Sequence, residues 1–414
     1  MKFGKQLGNV LENTISLFSL KGIDLGLTIF LIPYLILKVG IDNYGHYVFV
    51  MSIVYFLLNI LNYGFNLTAV RDLAKNKKNA LKVNDIFNEV ITVKLYLFIV
   101  IYSVFLVLII FLPTTYELRS IYLVGSFLLI SDLFSVRWLF LGVEKMKYIT
   151  LINLSGGIIY VFLVINFINV EADFEKIPLC EAVGTGMVSI ISFVWVVRKR
   201  KIRIRLISID KVLIYLKTYF SSFISLLLPS TYGVISIFLA GFFCLPAQLS
   251  VFQMGLKFTS AFSTINSVLT NVFYPLINKK NELMAISRLV LIGLGGFLSL
   301  IMYFSSDFII AFWLKKNSLT AVEELISVVK ILSVTPLLMG VISSYGVNGL
   351  LAYFKDGILG KIVFISTLFM IVSSIWLIPI YGIYGGAISF ILGRTIYGIL
   401  ASYMFYRIRK NVEI

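Results

Sequence analysis

Long apolar runs, separated at short intervals by turn residues and small knots of charge, fill the chain from end to end. Runs of about 20 apolar residues are what a helix needs to cross the hydrocarbon core of a bilayer. With boundaries read from Gly, Pro, Asn and charge clusters, spans are predicted near 13–37, 44–66, 87–112, 118–142, 148–168, 177–197, 211–239, 247–277, 284–309, 322–348, 357–378 and 383–406. Twelve spans return the chain to the side on which it starts. The first run is longer than a signal-peptide core and continues without a small-residue cleavage site, so no cleavable signal is expected. The fold class is therefore read as an all-α polytopic membrane protein with twelve transmembrane helices.

Polar residues inside the spans carry most of the functional information. In the eighth span Gln253, Lys257, Ser260, Thr264, Ser267 and Asn271 recur at steps of four and three, which makes one polar stripe along the helix. A second stripe runs through Ser52, Tyr55, Asn59, Asn62 and Asn66. Single hydroxyls in a membrane helix often bond to a neighbouring helix. A full-length stripe that includes a lysine predicts the wall of a hydrated cavity, and the second stripe is read the same way, less strongly for want of a charge.

Composition agrees with the pattern: of 414 residues, 59% are apolar and 14% are charged, against about 25% charged in a typical soluble domain. The formal net charge is +16, which in a soluble chain would suggest nucleic acid. Here its distribution decides otherwise. Of the 36 Lys and Arg residues, 24 fall in the N-terminus, the even-numbered loops and the tail, with a dense run from Arg198 to Lys211. Only Lys38, Arg119, Lys176, Lys315 and Lys316 fall in the opposite loops. The positive-inside rule then puts both termini in the cytoplasm, and contact with anionic membrane lipids is the secondary use of the charge. No nucleic-acid partner is expected. With two cysteines, Cys180 and Cys244, and one histidine, His46, no metal site, disulfide framework or histidine-based catalytic centre is expected. Neither an enzyme activity nor a cofactor is predicted, and the cysteines are read as free thiols.

A faint internal repeat divides the chain. Lys21 precedes Pro33 by the same interval as Lys217 precedes Pro229, and Pro178 precedes Gly184 as Pro379 precedes Gly385. This predicts an N-terminal six-helix lobe over 1–206 and a C-terminal one over 207–414, in one orientation, around a central cavity.

Seven cations lie at least five residues from either end of a predicted span. Lys94, Arg137 and Lys217 lie close enough to span ends to snorkel towards headgroups. Lys21, Lys257, Lys330 and Arg394 lie deeper, where an ionisable group normally faces a partner or water. Lys21 and Asp24, three residues apart, share a helix face and form either a self-neutralising pair or a switchable one. Asp24, Asp132 and Glu181 are the candidates for ion coupling.

The residues also resemble a known family. Ile32-Pro33-Tyr34, Tyr44-Gly45-His46-Tyr47, Asn62-Tyr63-Gly64-Phe65, Arg71-Asp72-Leu73-Ala74 and Phe273-Tyr274-Pro275 are similar to motifs of the polysaccharide and O-antigen flippases, in the superfamily that includes multidrug and toxin extruders. Asn62 departs from the many relatives that carry an acid before the Tyr-Gly pair. The resemblance implies carriage of a polyprenyl-pyrophosphate-linked oligosaccharide, such as an O-antigen repeat unit, across a bacterial inner membrane, with polysaccharide polymerase machinery as a possible partner. An anionic, hydroxyl-rich headgroup needs a wet, cationic cavity to cross hydrocarbon. On that reading Lys21, Lys257, Lys330, Arg394, Gln253, Ser260 and Thr264 contact substrate, and Asp24 resets the charge. A cation-coupled drug exporter of the same fold and a non-transporting scaffold of an assembly complex are the alternatives. The excess of deep bases over deep acids disfavours the first, and the stripes disfavour the second. A major-facilitator carrier shares the two-half plan, but the Arg71 to Lys82 loop lacks that family's Gly- and Arg-rich signature.

Overall fold

A computed structural model describes residues 22, 26, 30–77, 79–111, 117–277, 283–313, 319–351, 353 and 356–412. Among them the chain is all helix and turn. α1 (Phe30–Val39) is followed by α2 (Ile41–Leu61), α3 (Thr68–Asn76), α4 (Ala80–Phe111), α5 (Arg119–Leu133), α6 (Arg137–Gly142), α7 (Met146–Phe167) and α8 (Ile177–Arg200). Then come α9 (Ile209–Ala240), α10 (Pro246–Ile277), α11 (Leu283–Trp313), α12 (Leu319–Leu332), α13 (Thr335–Ile342), α14 (Asp356–Tyr381) and α15 (Ile383–Val412). Among the described residues nine helical spans are long and apolar enough to cross a membrane, and a tenth is the bent pair Ile209–Ile224 and Leu226–Ala240. The bend has a local cause: Pro229 has no N–H for the carbonyl four residues back and crowds it. α10 has the length to span, at about 1.5 Å per residue over 32 residues, but its polar stripe lowers its hydropathy. The protein is thus an all-α polytopic membrane protein.

Three predicted spans differ in detail. The second ends at Leu61, because Tyr63 (φ 36°) and Gly64 (φ 73°) turn the chain left-handed. Gly64 suits the turn doubly, since a Cβ there would lie 3.3 Å from the Phe223 backbone. The stretch beyond, read as loop, folds into the short helix α3. The fourth span breaks at residues 134–136 between α5 and α6. The tenth breaks twice, once before Pro336, which cannot continue the α12 ladder, and again where Ser343–Leu351 widens into π-helix. Of the first predicted span, 13–37, most lies outside the described residues, and Phe30–Val39 is helical.

The chain divides into two compact units, the first made up mainly of residues 38–230 and the second of 231–414 with 28–37. In the first, Leu73, Phe87, Trp138, Phe140 and Phe223 build a buried core from α3, α4, α6 and α9. In the second, Ile277, Met284, Leu350, Ile362 and Phe405 form a smaller cluster. The basic segment after α8 is held by a ladder. Backbone N–H groups of Arg203, Arg205 and Ile207 donate to the side chains of Asn84 (2.9 Å), Asn88 (3.1 Å) and Thr92 (3.3 Å) on α4. Asn88 also donates to the Arg203 carbonyl at 2.9 Å. Four helical residues rise about 6 Å and two extended residues about 6.6 Å, so the two periods nearly match.

Candidate functional site: charges within the spans

The first unit pairs its buried lysine with a carboxylate of its own. Lys94 of α4 is fully buried, at 0% exposure, and its ammonium lies 2.8 Å from the Asp132 carboxylate, itself 25% exposed. Lys94 also donates to the Asp132 carbonyl. That carbonyl also accepts the Ser135 N–H at 2.8 Å in the turn that ends α5, and a cation at a helix C-terminus meets the negative end of the helix dipole. Asn62 donates its amide to Asp132 at 3.1 Å and to the Leu58 carbonyl at 2.9 Å. Lys94 therefore does not snorkel, whereas Arg137 and Lys217 are exposed, as snorkelling requires.

Glu181 of α8 receives the Tyr55 hydroxyl at 2.8 Å and the Tyr47 hydroxyl at 3.4 Å, both from α2. Tyr55 and Asn62 stand two helical turns apart on the second stripe, and each donates to one of the acids singled out from the sequence. Ser52 of the same stripe is buried and bonded to the Phe49 carbonyl. This stripe binds acids and backbone over these positions, where a cavity wall was expected. α7 and α8 cross closely behind it: a Cβ on Gly184 would lie 2.9 Å from the Gly156 carbonyl oxygen.

The second unit holds its cations differently. Arg394 of α15 lies over the Phe390 ring at 4.6 Å and the Tyr232 ring at 5.7 Å, and also contacts the Met339 sulfur. Its Nε is buried without a hydrogen-bond partner, and no carboxylate among the described residues pairs with it. Tyr232 is fixed by a 2.7 Å hydrogen bond to Ser366. Aromatic faces stabilise a guanidinium by about 0.5–2 kcal/mol and leave its charge uncancelled.

On α10, Lys257, Ser260 and Asn271 are exposed, and Gln253, Thr264 and Ser267 are half-buried. Thr264 and Ser267 return their hydroxyls to the helix's own carbonyls at 2.8 Å. The opposite face, with Phe252, Met254, Thr259, Asn266 and Thr270, is buried. There Asn266 donates to the Pro336 carbonyl at 2.8 Å, next to the break before α13. Lys257 has no ion-pair partner among the described residues. Lys330, by contrast, pairs with Asp307 of α11 at 2.9 Å, with both side chains substantially exposed. Asp307 was passed over in the sequence; its place near the end of a predicted span was the available signal. Lys21 and Asp24 lie outside the described residues. Cys180 and Cys244 are free.

Residues 10–281 match the model of the family described as polysaccharide biosynthesis protein. The chain belongs to this family. Among curated relatives, a "Putative O-antigen transporter" of Escherichia coli (strain K12) is 26% identical over 410 residues, 97% of either chain. One of the same description from Shigella dysenteriae is 25% identical over 272 residues, covering 65% of this chain and 67% of its own. Among solved structures, the lipid II flippase MurJ superposes with a TM-score of 0.72 at 15% identity, over 95% of this chain and 87% of that one. A multidrug resistance MATE family transporter of the MOP superfamily follows with 0.67 at 11% identity, over 96% and 98%. The family member described here thus has the fold of these membrane transporters.

Proposed function

We propose that the protein is a flippase that moves a polyprenyl-pyrophosphate-linked oligosaccharide, an O-antigen repeat unit or a similar saccharide, from the cytoplasmic to the periplasmic leaflet of a bacterial inner membrane by ion-coupled alternating access. The observation that carries this reading is Arg394, a half-buried guanidinium held by rings, its Nε buried without a hydrogen-bond partner and its charge balanced by no described acid. A pyrophosphate offers such a cation the charge-assisted partner it lacks. Lys257, with Gln253, Ser260 and Thr264 on the same stripe, supplies a second cation and groups suited to sugar hydroxyls. Lys330 stands in this reading as a peripheral contact, because Asp307 already competes for it. Of the coupling candidates, Asp132 is engaged by Lys94, so a proton or cation arriving there would compete with an ammonium. Glu181 accepts the Tyr55 and Tyr47 hydroxyls, so a proton or cation arriving there would compete with hydrogen bonds from neutral groups. The names of the relatives and the fold they share support transport of this class of cargo. Assembly with polysaccharide polymerase machinery belongs to the same reading.

The test is complementation of a strain lacking the gene. Arg394→Ala and Lys257→Ala are each expected to abolish surface polysaccharide at normal membrane levels, with lipid-linked repeat units accumulating on the cytoplasmic leaflet. Full complementation by both variants would overturn the cationic site.

A further inference from the structure

On the outer face of α8 a groove of about 620 Å³ is lined by Ile190, Ile191, Val194, Trp195, Arg198 and Lys199. It begins among aliphatic side chains and ends in two cations. From Ile190 to Arg198 the helix rises about 12 Å, close to the depth of one leaflet's hydrocarbon, half of about 30 Å. The aliphatic wall faces outward, with Ile191 63% exposed, and Trp195 is 37% exposed at the transition.

The polar end is built from the surrounding side chains. The Lys199 ammonium lies 4.5 Å above the Trp195 ring, and Trp195 packs at 5.3 Å on Tyr148, which stacks on Phe140. Lys145 and Lys147 stand at 5.8 and 6.0 Å from the Tyr148 ring, so three cations stand over one aromatic cluster. The nearby acid Glu144 is bonded to Lys77 at 3.0 Å. Neither Arg198 nor Lys199 has a carboxylate partner among the described residues.

We infer that this groove is a binding site for an anionic glycerophospholipid, one acyl chain lying along Ile190, Ile191 and Val194, the glycerol backbone at Trp195 and the phosphate between Arg198 and Lys199. Charge complementarity selects the headgroup. Two cations without a described acid favour net negative charge, and the amine of a zwitterionic headgroup would meet Lys145, which stands over the same aromatic cluster. Indole rings settle where hydrocarbon meets headgroups, which sets the depth. The site is separate from Arg394 and α10 and does not depend on the flippase reading.

Bromine on an acyl chain quenches tryptophan fluorescence at short range, so a full-length variant with Trp313 and the exposed Trp376 replaced by phenylalanine, which leaves Trp195 and the buried Trp138, reports the occupant when reconstituted with brominated phosphatidylglycerol or brominated phosphatidylcholine. Quenching by phosphatidylglycerol is expected to be half-saturated at a mole fraction on the order of thirtyfold lower than by phosphatidylcholine, at about 1 kcal/mol for each of the two basic residues. That preference should disappear in Arg198→Gln/Lys199→Gln, survive in Arg198→Lys/Lys199→Arg, and be lost with the responding signal in Trp195→Phe. Equal quenching by the two lipids, or a preference unchanged in the double glutamine variant, would overturn the site. Displacement of the brominated lipid by a stoichiometric polyprenyl phosphate would also overturn it, by reassigning the groove to the cargo. Transport is not measured, so failure here leaves the proposed function standing, and the reverse holds.

Discussion

Lys94 in the first unit and Arg394 in the second are held in opposite ways, although Lys330 of the second unit also pairs with an acid. In the first, Lys94 meets Asp132, Asn62 completes the carboxylate's shell, and Glu181 receives tyrosine hydroxyls. In the second, Arg394 rests on rings and Lys257 stands on an exposed stripe, neither with a described counter-charge. A buried pair is costly to break from one side and close to neutral to replace as a whole. An unbalanced cation is costly to keep and serves only if an anion visits it. On the proposed function the first arrangement is a framework and the second a receptor.

Breaking the framework should produce the largest effect. Lys94→Ala leaves Asp132 without its ammonium and is expected to cost about 3–5 kcal/mol, visible as a large fall in thermal stability of the purified protein and in membrane abundance. Lys94→Met with Asp132→Leu should recover most of that loss; no recovery would mean that the pair is not what the site depends on. In the receptor, removing one cation should weaken anion binding by about two orders of magnitude, while the thermal midpoint moves little. Lys257→Arg and Arg394→Lys should keep partial activity, since charge survives although fork geometry does not. If Arg394→Ala unfolded the protein as Lys94→Ala is expected to, the contrast between the units would fail.

A smaller, local effect separates the two faces of α10. Cysteines at Ser260, Thr264 and Ser267 should react with a membrane-impermeant thiol reagent, and cysteines at Thr259 and Thr270, buried on the other face, should not. Equal reactivity would remove the hydrated wall. The smallest effect is expected at Lys330. Its pair with Asp307 is exposed, and such pairs are worth about 0–1 kcal/mol, so Lys330→Ala should lower stability barely measurably. A loss of polysaccharide equal to that in Arg394→Ala would promote Lys330 to the receptor.

The spans and the polar faces were legible from hydrophobic run length and from the 3.6-residue period, because both are local properties. Partners were not. Lys94 and Asp132 lie 38 residues apart and Tyr55 and Glu181 lie 126 apart, and periodicity says which face a side chain is on without saying what lies opposite. Hence the stripe of Tyr55 and Asn62 was assigned to a cavity, although these residues clasp acids. The α5–α6 break also escaped notice, since Phe134-Ser135-Val136 holds neither glycine nor proline. Pro336 advertised the other break openly. α3 was hidden by its charges, which resemble those of a cytoplasmic loop until Leu73 is seen buried against α6.

The ladder between α4 and the basic segment has an evolutionary consequence. Asn84, Asn88 and Thr92 grip peptide groups, so the exposed side chains at 203 and 205 are free to drift in charge and size, whereas Ile207 also packs against the core and must stay apolar. Only proline, which has no N–H, would be refused at those three places. Insertions should obey a parity: one extra residue between 203 and 207 turns the following N–H groups away from α4, whereas two extra residues restore their direction. Variation in this segment should therefore be plentiful in letters and scarce in odd-numbered changes of length.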